Sequence, residues 1–362
     1  MWRSVCFGMR KASSFPGSGF AVKSKQKNMP NRDIIVIGTS AGGVEALREI
    51  ARGLPPNLAA AVFIVIHLPP TSNSALPEIL NRCGPLRANH AIDGEAIRRG
   101  RIYIAPPDHH LMVERNQVRV LRCPKVNRMR PAADPLFRSA ARAYGPRVVG
   151  VVLTGTLDDG TAGLLAIKRR GGVVAAQDPQ DALYPGMPRS ALENVAVDYC
   201  LPLSGIPPLL AKLAGTPAPD EDNYPVSEEL KIETGITLAE SGYMESVDKL
   251  GDPSVFTCPE CSGVLWELRD QKLIRFRCHV GHAFSTESLM ADQSEALENA
   301  LWAALRALEE QAALCRRLVQ QSRRRNQTLS ASRFEKNAKQ LEQHGEILRG
   351  VLQEGIDSRV EE

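Results

Sequence analysis

One run of fifteen residues limits what this chain can fold into: Asp33-Ile34-Ile35-Val36-Ile37-Gly38-Thr39-Ser40-Ala41-Gly42-Gly43-Val44-Glu45-Ala46-Leu47. Its first part is short and apolar. It then passes a serine set among glycines and continues with apolar residues at Val44, Leu47, Ile50 and Ala51, a helical spacing. The run reads as strand, tight turn and helix. Gly38-x-Ser40-x-Gly42 matches the nucleophile-elbow pattern, in which glycines permit a sharp turn and leave the serine oxygen clear at the carboxyl end of the strand. The N–H groups at the start of the helix point to the same place and can hold an anion. The competing reading is a phosphate-binding turn of a dinucleotide fold. That turn calls for Gly-x-Gly-x-x-Gly and for an acid at the end of the next strand. Here Ser40 stands at the second glycine position, and the next apolar run, 61–66, ends in His67. A serine after one strand and a histidine after the next suit acyl transfer.

From Arg32 to Ala214 such runs alternate. Strands are predicted at 33–37, 61–67, 101–105, 148–153, 173–177 and 197–202, and helices at 43–53, 72–82, 134–145, 160–170, 186–194 and 206–214. Val148 to Leu153 is apolar on both faces, as a buried parallel strand is. The alternation predicts an α/β fold, a doubly wound and mostly parallel sheet of Rossmann-like type. A hairpin of 110–114 with 118–122, turning near Asn116, interrupts it. In such a sheet, sites form beyond the carboxyl ends of the strands. Ser40 and His67 lie there, and so does the loop Thr154-Gly155-Thr156-Leu157-Asp158-Asp159-Gly160. Asp159 precedes a helix, where an aspartate commonly caps the N-terminus, and a carboxylate held that way is well placed to orient a histidine.

On these residues the segment 32–214 resembles the catalytic domain of the chemotaxis protein-glutamate methylesterase family (CheB-type). The resemblance is carried by Gly38-Thr39-Ser40-Ala41-Gly42-Gly43, Val65-Ile66-His67, Arg101 to Pro107, Val126-Asn127-Arg128-Met129-Arg130-Pro131, Leu153-Thr154-Gly155 with Asp159-Gly160, and Gly186-Met187-Pro188-Arg189. It implies a catalytic triad of Ser40, His67 and Asp159, an order unlike that of α/β-hydrolases. It implies an oxyanion site at the backbone N–H groups of Ala41 and Thr156. Two side chains depart from the family pattern, since Ala41 stands where Thr is usual and Thr156 where Met is usual, but a backbone donor survives both changes. Arg128 and Arg130 are expected near the cleft, where they would meet acidic side chains of a receptor helix. The implied function is demethylation of glutamate methyl esters on chemoreceptor-like signalling proteins, releasing methanol, with glutamine deamidation as a related activity. The rival is a non-catalytic signalling scaffold that binds receptors or a partner methyltransferase. Regulated members of the family carry a receiver domain first. Only 32 residues precede Asp33, too few for one, so phosphoryl donors are expected to leave activity unchanged.

The remaining segments are read as follows. Residues 1–31 form a disordered basic arm, rich in Lys and Arg and without an acid; Met29 would be a natural start. Residues 215–256 read as an acidic linker with a short ordered segment at Leu230-Lys231-Ile232, and its Asp220-Glu221-Asp222 and Glu228-Glu229 could compete for Arg128 and Arg130. Residues 257–284 read as a zinc ribbon. Cys258-x-x-Cys261 and Cys278-x-x-x-His282 are two knuckles joined by a hairpin pattern, with His279 as substitute ligand, and they close a structural shell with no open position for chemistry. Relatives in this subgroup often carry a similar segment. Residues 285–362 read as a helical tail, with a seam of Leu301, Leu305, Leu308, Ala312, Cys315 and Val319 broken at Arg323 to Asn326. The seam suits a helical hairpin within the chain or, as the sharper alternative, self-association.

Composition narrows the class. A formal charge of +4 among 362 residues gives no argument for nucleic acid as a partner. No apolar run is long enough to span a membrane. Cys6, Cys83, Cys123, Cys200 and Cys315 are scattered singly, which fits a reducing cytoplasm rather than a disulfide framework. No cofactor is expected for catalysis.

Overall fold

The protein is described by a computed structural model over residues 30–238, 240, 246–270 and 272–354. The basic arm therefore lies almost wholly outside the described residues. The elements are β1 (Ile34–Thr39), α1 (Gly43–Gly53), β2 (Ala61–Ile66), α2 (Leu76–Cys83), β3 (Arg87–His90), β4 (Arg101–Ile104), the hairpin β5 (His110–Glu114) and β6 (Gln117–Leu121), α3 (Ala133–Tyr144) and β7 (Val148–Val152). Next come α4 (Thr161–Arg169), β8 (Val173–Gln177), α5 (Gly186–Asn194), β9 (Tyr199–Leu201) and α6 (Ile206–Ala214).

Seven strands form one sheet in the order β3-β4-β2-β1-β7-β8-β9, and every neighbouring pair is parallel. The period of two sorts β1 between two cores. Ile34 and Val36 pack with residues of α3, α4 and α5, whereas Ile35 and Ile37 pack with those of α1, α2 and α6. Because β1 is central and apolar on both faces, it has no solvent side, as the sequence pattern requires. The sheet is the doubly wound one expected. Its edge strand β3 was not predicted, because Arg87-Ala88-Asn89-His90 buries only one side chain fully. The helix predicted from residue 72 begins at Leu76, with Pro77 in its first turn.

The larger correction concerns 215–256. Far from being a linker, this segment contributes α7 (Glu228–Thr237), α8 (Val247–Leu250) and β10 (Gly251–Thr257). Leu230 of α7 joins the core of the sheet domain, and Ile232 and Ile236 pack with Val247, Leu250 and Leu268. Glu233 is buried with them and meets Arg275 at 2.6 Å, Arg138 at 3.5 Å and Arg277 at 3.7 Å. Burial alone would raise its carboxyl, but the Arg275, Arg138 and Arg277 charges overcome this and hold it far below the usual carboxylate range. A local window could not show that a buried glutamate is matched by arginines from two other elements.

β10, β11 (Val264–Leu268), β12 (Arg275–Cys278) and β13 (Ala283–Ser285) pair in that order in an antiparallel sheet of four strands. The ribbon thus starts earlier than expected. Two helices follow, α9 (Thr286–Arg324) and α10 (Thr328–Glu354), broken at Asn326, whose φ is 58°. Leu305, Ala312 and Val319 are buried on α9, and Ala331, Ala338 and Gly345 are buried on α10 at the same spacing of seven. The seam is covered within the chain, as a hairpin. Among the described residues no helix is long and apolar enough to cross a membrane.

Candidate active site

Three adjacent strands, β2, β1 and β7, end side by side, and each delivers one group. Ser40 follows β1, His67 follows β2 and Asp159 lies in the loop after β7. The left-handed turn is taken by Gly42, at φ 74°, and not by the serine. The Ser40 N–H donates to the Thr154 carbonyl at 3.0 Å, which ties the β1 turn to the β7 loop. Thr154 Oγ1 donates to the Ala41 carbonyl at 3.0 Å. Gly155 has no room for a side chain, since a Cβ there would stand 2.9 Å from Ser40 Cβ and 2.2 Å from Met187 Sδ. Gly155 is therefore pressed between the serine and Met187. The N–H groups of Ala41 and Thr156 form no backbone hydrogen bond among the described residues.

His67 Nδ1 lies 3.0 Å from Ser40 Oγ, and His67 Nε2 lies 2.8 Å from Asp159 Oδ2. A carboxylate only accepts, so Nε2 carries the proton and Nδ1 is free to accept from the serine hydroxyl. Asp159 is buried and accepts from three further donors. These are the Ala133 N–H at 2.6 Å, the Asp134 N–H at 3.3 Å and Asn127 Nδ2 at 2.9 Å. Burial pushes its carboxyl up, but the bond to His67 and that histidine's charge, with the Ala133 and Asn127 donors, outweigh this and hold it below the usual range. The neighbouring Asp158 takes another path. It accepts from Ser285 Oγ at 2.6 Å, and burial pushes its carboxyl up to about 7. The geometry therefore selects Asp159, not Asp158, as the partner of His67.

The two arginines are placed differently from the expectation. Arg130 donates to Asp108 and to the Cys123 carbonyl, and is committed to holding its own loop. Arg128 pairs with Asp292 and Glu295 on α9. Among the described residues both arginines are paired within the chain, and Glu221 of the acidic segment pairs not with them but with Arg115 and Arg170. Asn127, beside Arg128 in the same motif, is the residue whose role the sequence did not reveal.

The cysteine cluster also assembles. Ligand atoms of Cys258, Cys261, Cys278 and His282 all lie within 4.8 Å of one another. Cys261 Sγ is 3.7 Å from Cys278 Sγ, and His282 Nδ1 is 3.5 Å from Cys278 Sγ and 3.7 Å from Cys258 Sγ. Tetrahedral zinc would set two sulfurs about 3.8 Å apart and a sulfur and a nitrogen about 3.6 Å apart, so the donor set fits. His279 is outside the cluster, edge-on to Trp266 at 4.3 Å.

The CheB methylesterase family model matches residues 35–210. A putative protein-glutamate methylesterase/protein-glutamine glutaminase of Leptospira interrogans is 38% identical over 184 residues, which are 51% of this chain and 95% of that protein. The chain belongs to the CheB methylesterase family. The protein-glutamate methylesterase/protein-glutamine glutaminase of Pyrococcus abyssi is 36% identical over 189 residues, 51% of each chain. The CheB methylesterase catalytic domain of Thermotoga maritima, a solved structure, is 37% identical with a TM-score of 0.48, covering 50% of this chain and 98% of that one. The chain thus spans about half the length of the Pyrococcus CheB relative. Ser40, His67 and Asp159 lie within the 35–210 match.

Proposed function

We propose that the chain is a serine hydrolase that demethylates glutamate methyl esters on chemoreceptor-like signalling proteins. The observation that carries this reading is the relay Ser40–His67–Asp159 at the ends of three neighbouring strands. Ser40 Oγ attacks the ester carbonyl as His67 Nδ1 takes its proton. Asp159 keeps His67 in the tautomer with Nε2 protonated and stabilises the imidazolium. The Ala41 and Thr156 N–H groups hold the oxyanion. The His67 proton passes to the departing methanol, and water then cleaves the acyl-enzyme by the same steps in reverse. A glutamine side chain entering the site would lose ammonia by the same acyl chemistry. Activated fluorophosphonate should label the native protein and leave Ser40→Ala unlabelled. Label on a different residue, or none, would overturn the reading, and methanol release from a methylated receptor fragment would fix the substrate class.

A scaffold that binds receptors or a methyltransferase without catalysis has no need of a serine, an imidazole and a carboxylate in register, and the alignment favours the enzyme.

Zinc belongs to the same reading as a structural ion, held by Cys258, Cys261, Cys278 and His282. With four protein ligands it leaves no coordination position for a reacting group. Elemental analysis should find about one zinc per chain. Cys258→Ser should lose the metal, together with the protease resistance of the ribbon. A ribbon that resists protease equally well without metal would remove the ion from the account.

A further inference from the structure

We propose that Asn127 is a positioning residue for Asp159, and that the junction between β13 and α9 fixes Asn127 in turn. This rests on the hydrolase reading of the same site. Asn127 is buried and uses nearly all its hydrogen-bonding capacity. Its Nδ2 donates to Asp159 Oδ1 at 2.9 Å and to Asp134 Oδ2 at 3.1 Å. Its Oδ1 accepts from the Ser285 N–H at 3.0 Å and the Ser288 hydroxyl at 3.4 Å. Its own N–H donates to the Ala283 carbonyl at 2.8 Å.

An amide has one end that donates and one that accepts, and a half-turn exchanges them. The two carboxylates on one side and the Ser285 N–H on the other therefore specify the same orientation. A backbone N–H cannot change its role, so the junction forces the NH2 group toward Asp159. The residues flanking this contact are tied to the same stretch of chain. Arg128 pairs with Asp292 and Glu295, and Asp158 accepts from Ser285 Oγ. If the junction is not seated, Oδ1 loses its donors and the amide is free to turn its carbonyl on the carboxylate. The reactive geometry of the sheet domain is then lost without any change in the sheet.

The test is an isosteric exchange with a signature in pH. Asn127→Asp places a third carboxyl group against Asp159 and Asp134. The other charged groups lining the small cavity beside position 127 are Asp158, Lys272, Arg275 and Glu287, and Arg138 stands 3.7 Å behind Asp134. While it is protonated, the new carboxyl can donate to Asp159 as the amide did. Once ionised, it repels that group. On a small ester, kcat of Asn127→Asp should stay within about threefold of native at pH 6 and fall at least tenfold below native by pH 9, with KM nearly unchanged. A residue needed only for folding would give a ratio that does not vary with pH, and that result would overturn the proposal. The junction is tested by a pair of variants. Ser285→Pro removes the N–H and the hydroxyl, whereas Ser285→Ala removes only the hydroxyl, and the backbone there, at φ −77°, suits proline. Ser285→Pro should lower kcat at least tenfold further than Ser285→Ala. Equal activity of the two would sever the junction from the triad. Fluorophosphonate labelling of the native protein separates the failures. If the native protein neither labels nor cleaves esters, the hydrolase reading has failed; if it does both, only the role of Asn127 is at stake.

Discussion

Ser40→Ala should reduce ester hydrolysis by roughly four orders of magnitude or more, while circular dichroism and thermal melting stay close to native. The nucleophile is a single hydroxyl, and Ser40 sits in a turn whose backbone bonds survive loss of the side chain. His67→Ala should cost about as much, because Ser40 then has no base. The double variant should be little worse than either single one, since the groups act as a unit. Additive losses would mean that the two residues contribute to separate steps. Asp159→Asn should also be severe, for a reason visible in its contacts. The carboxylate accepts from His67, Ala133, Asp134 and Asn127, all of them donors. An asparagine has one acceptor oxygen, so its NH2 group must face a donor. Asp158→Asn should stay within a few-fold of native, because among the described residues its side chain accepts only from the Ser285 hydroxyl, which can donate to an amide oxygen equally well. The reverse ranking of the two aspartates would move the carboxylate that orients His67 by one residue.

Glu233→Gln should cost about 3–5 kcal/mol in urea unfolding. The glutamate is the carboxylate shared by Arg138, Arg275 and Arg277, and two of those side chains are almost fully enclosed. Buried nitrogens of all three arginines, among them Arg138 Nε, Arg275 Nε and Arg277 Nε, already lack a hydrogen-bond partner among the described residues. Asp134 and Asp270 offer only partial relief, at 3.7 Å from Arg138 and 3.3 Å from Arg275. Removing the central charge leaves three clustered cations, two of them almost fully enclosed, without their shared counter-charge. Because α3, α7 and β12 meet at this cluster, limited proteolysis should show the C-terminal half exposed before the sheet domain. A loss under about 1 kcal/mol would mean that water reaches the arginines.

The sheet domain was legible because each of its signals is local. Apolar runs give strands, and the helical spacing after Gly43 gives α1 over its full length. Ser40, His67 and Asp159 were legible because a doubly wound sheet brings its strand ends together wherever they lie in the chain. The clustering of Cys258, Cys261 and Cys278 followed from spacing, and the histidine that joins them is His282, not His279. What escaped was whatever depends on a distant partner. Arg128 looks like a free surface cation until Asp292, 164 residues later, is folded against it. Glu233 reads as one more acid of a linker until three arginines surround it. Asn127 is an ordinary loop asparagine in sequence, and only its two-sided contact separates it from its neighbours.

The contact between Asn127 and the β13–α9 junction also has a consequence in time. A ribosome delivers every strand of the seven-stranded sheet before it reaches the ribbon. Ser285 and Ser288 follow Leu201, the last residue of β9, by roughly 90 residues, which at about 5–20 residues per second is a delay of several seconds. Throughout that interval the nascent sheet holds serine, histidine and aspartate but not the donors that orient the amide beside them. Each newly made molecule passes through a stage in which Ser40, His67 and Asp159 can meet while the Asn127 amide still lacks the Ser285 N–H that holds it.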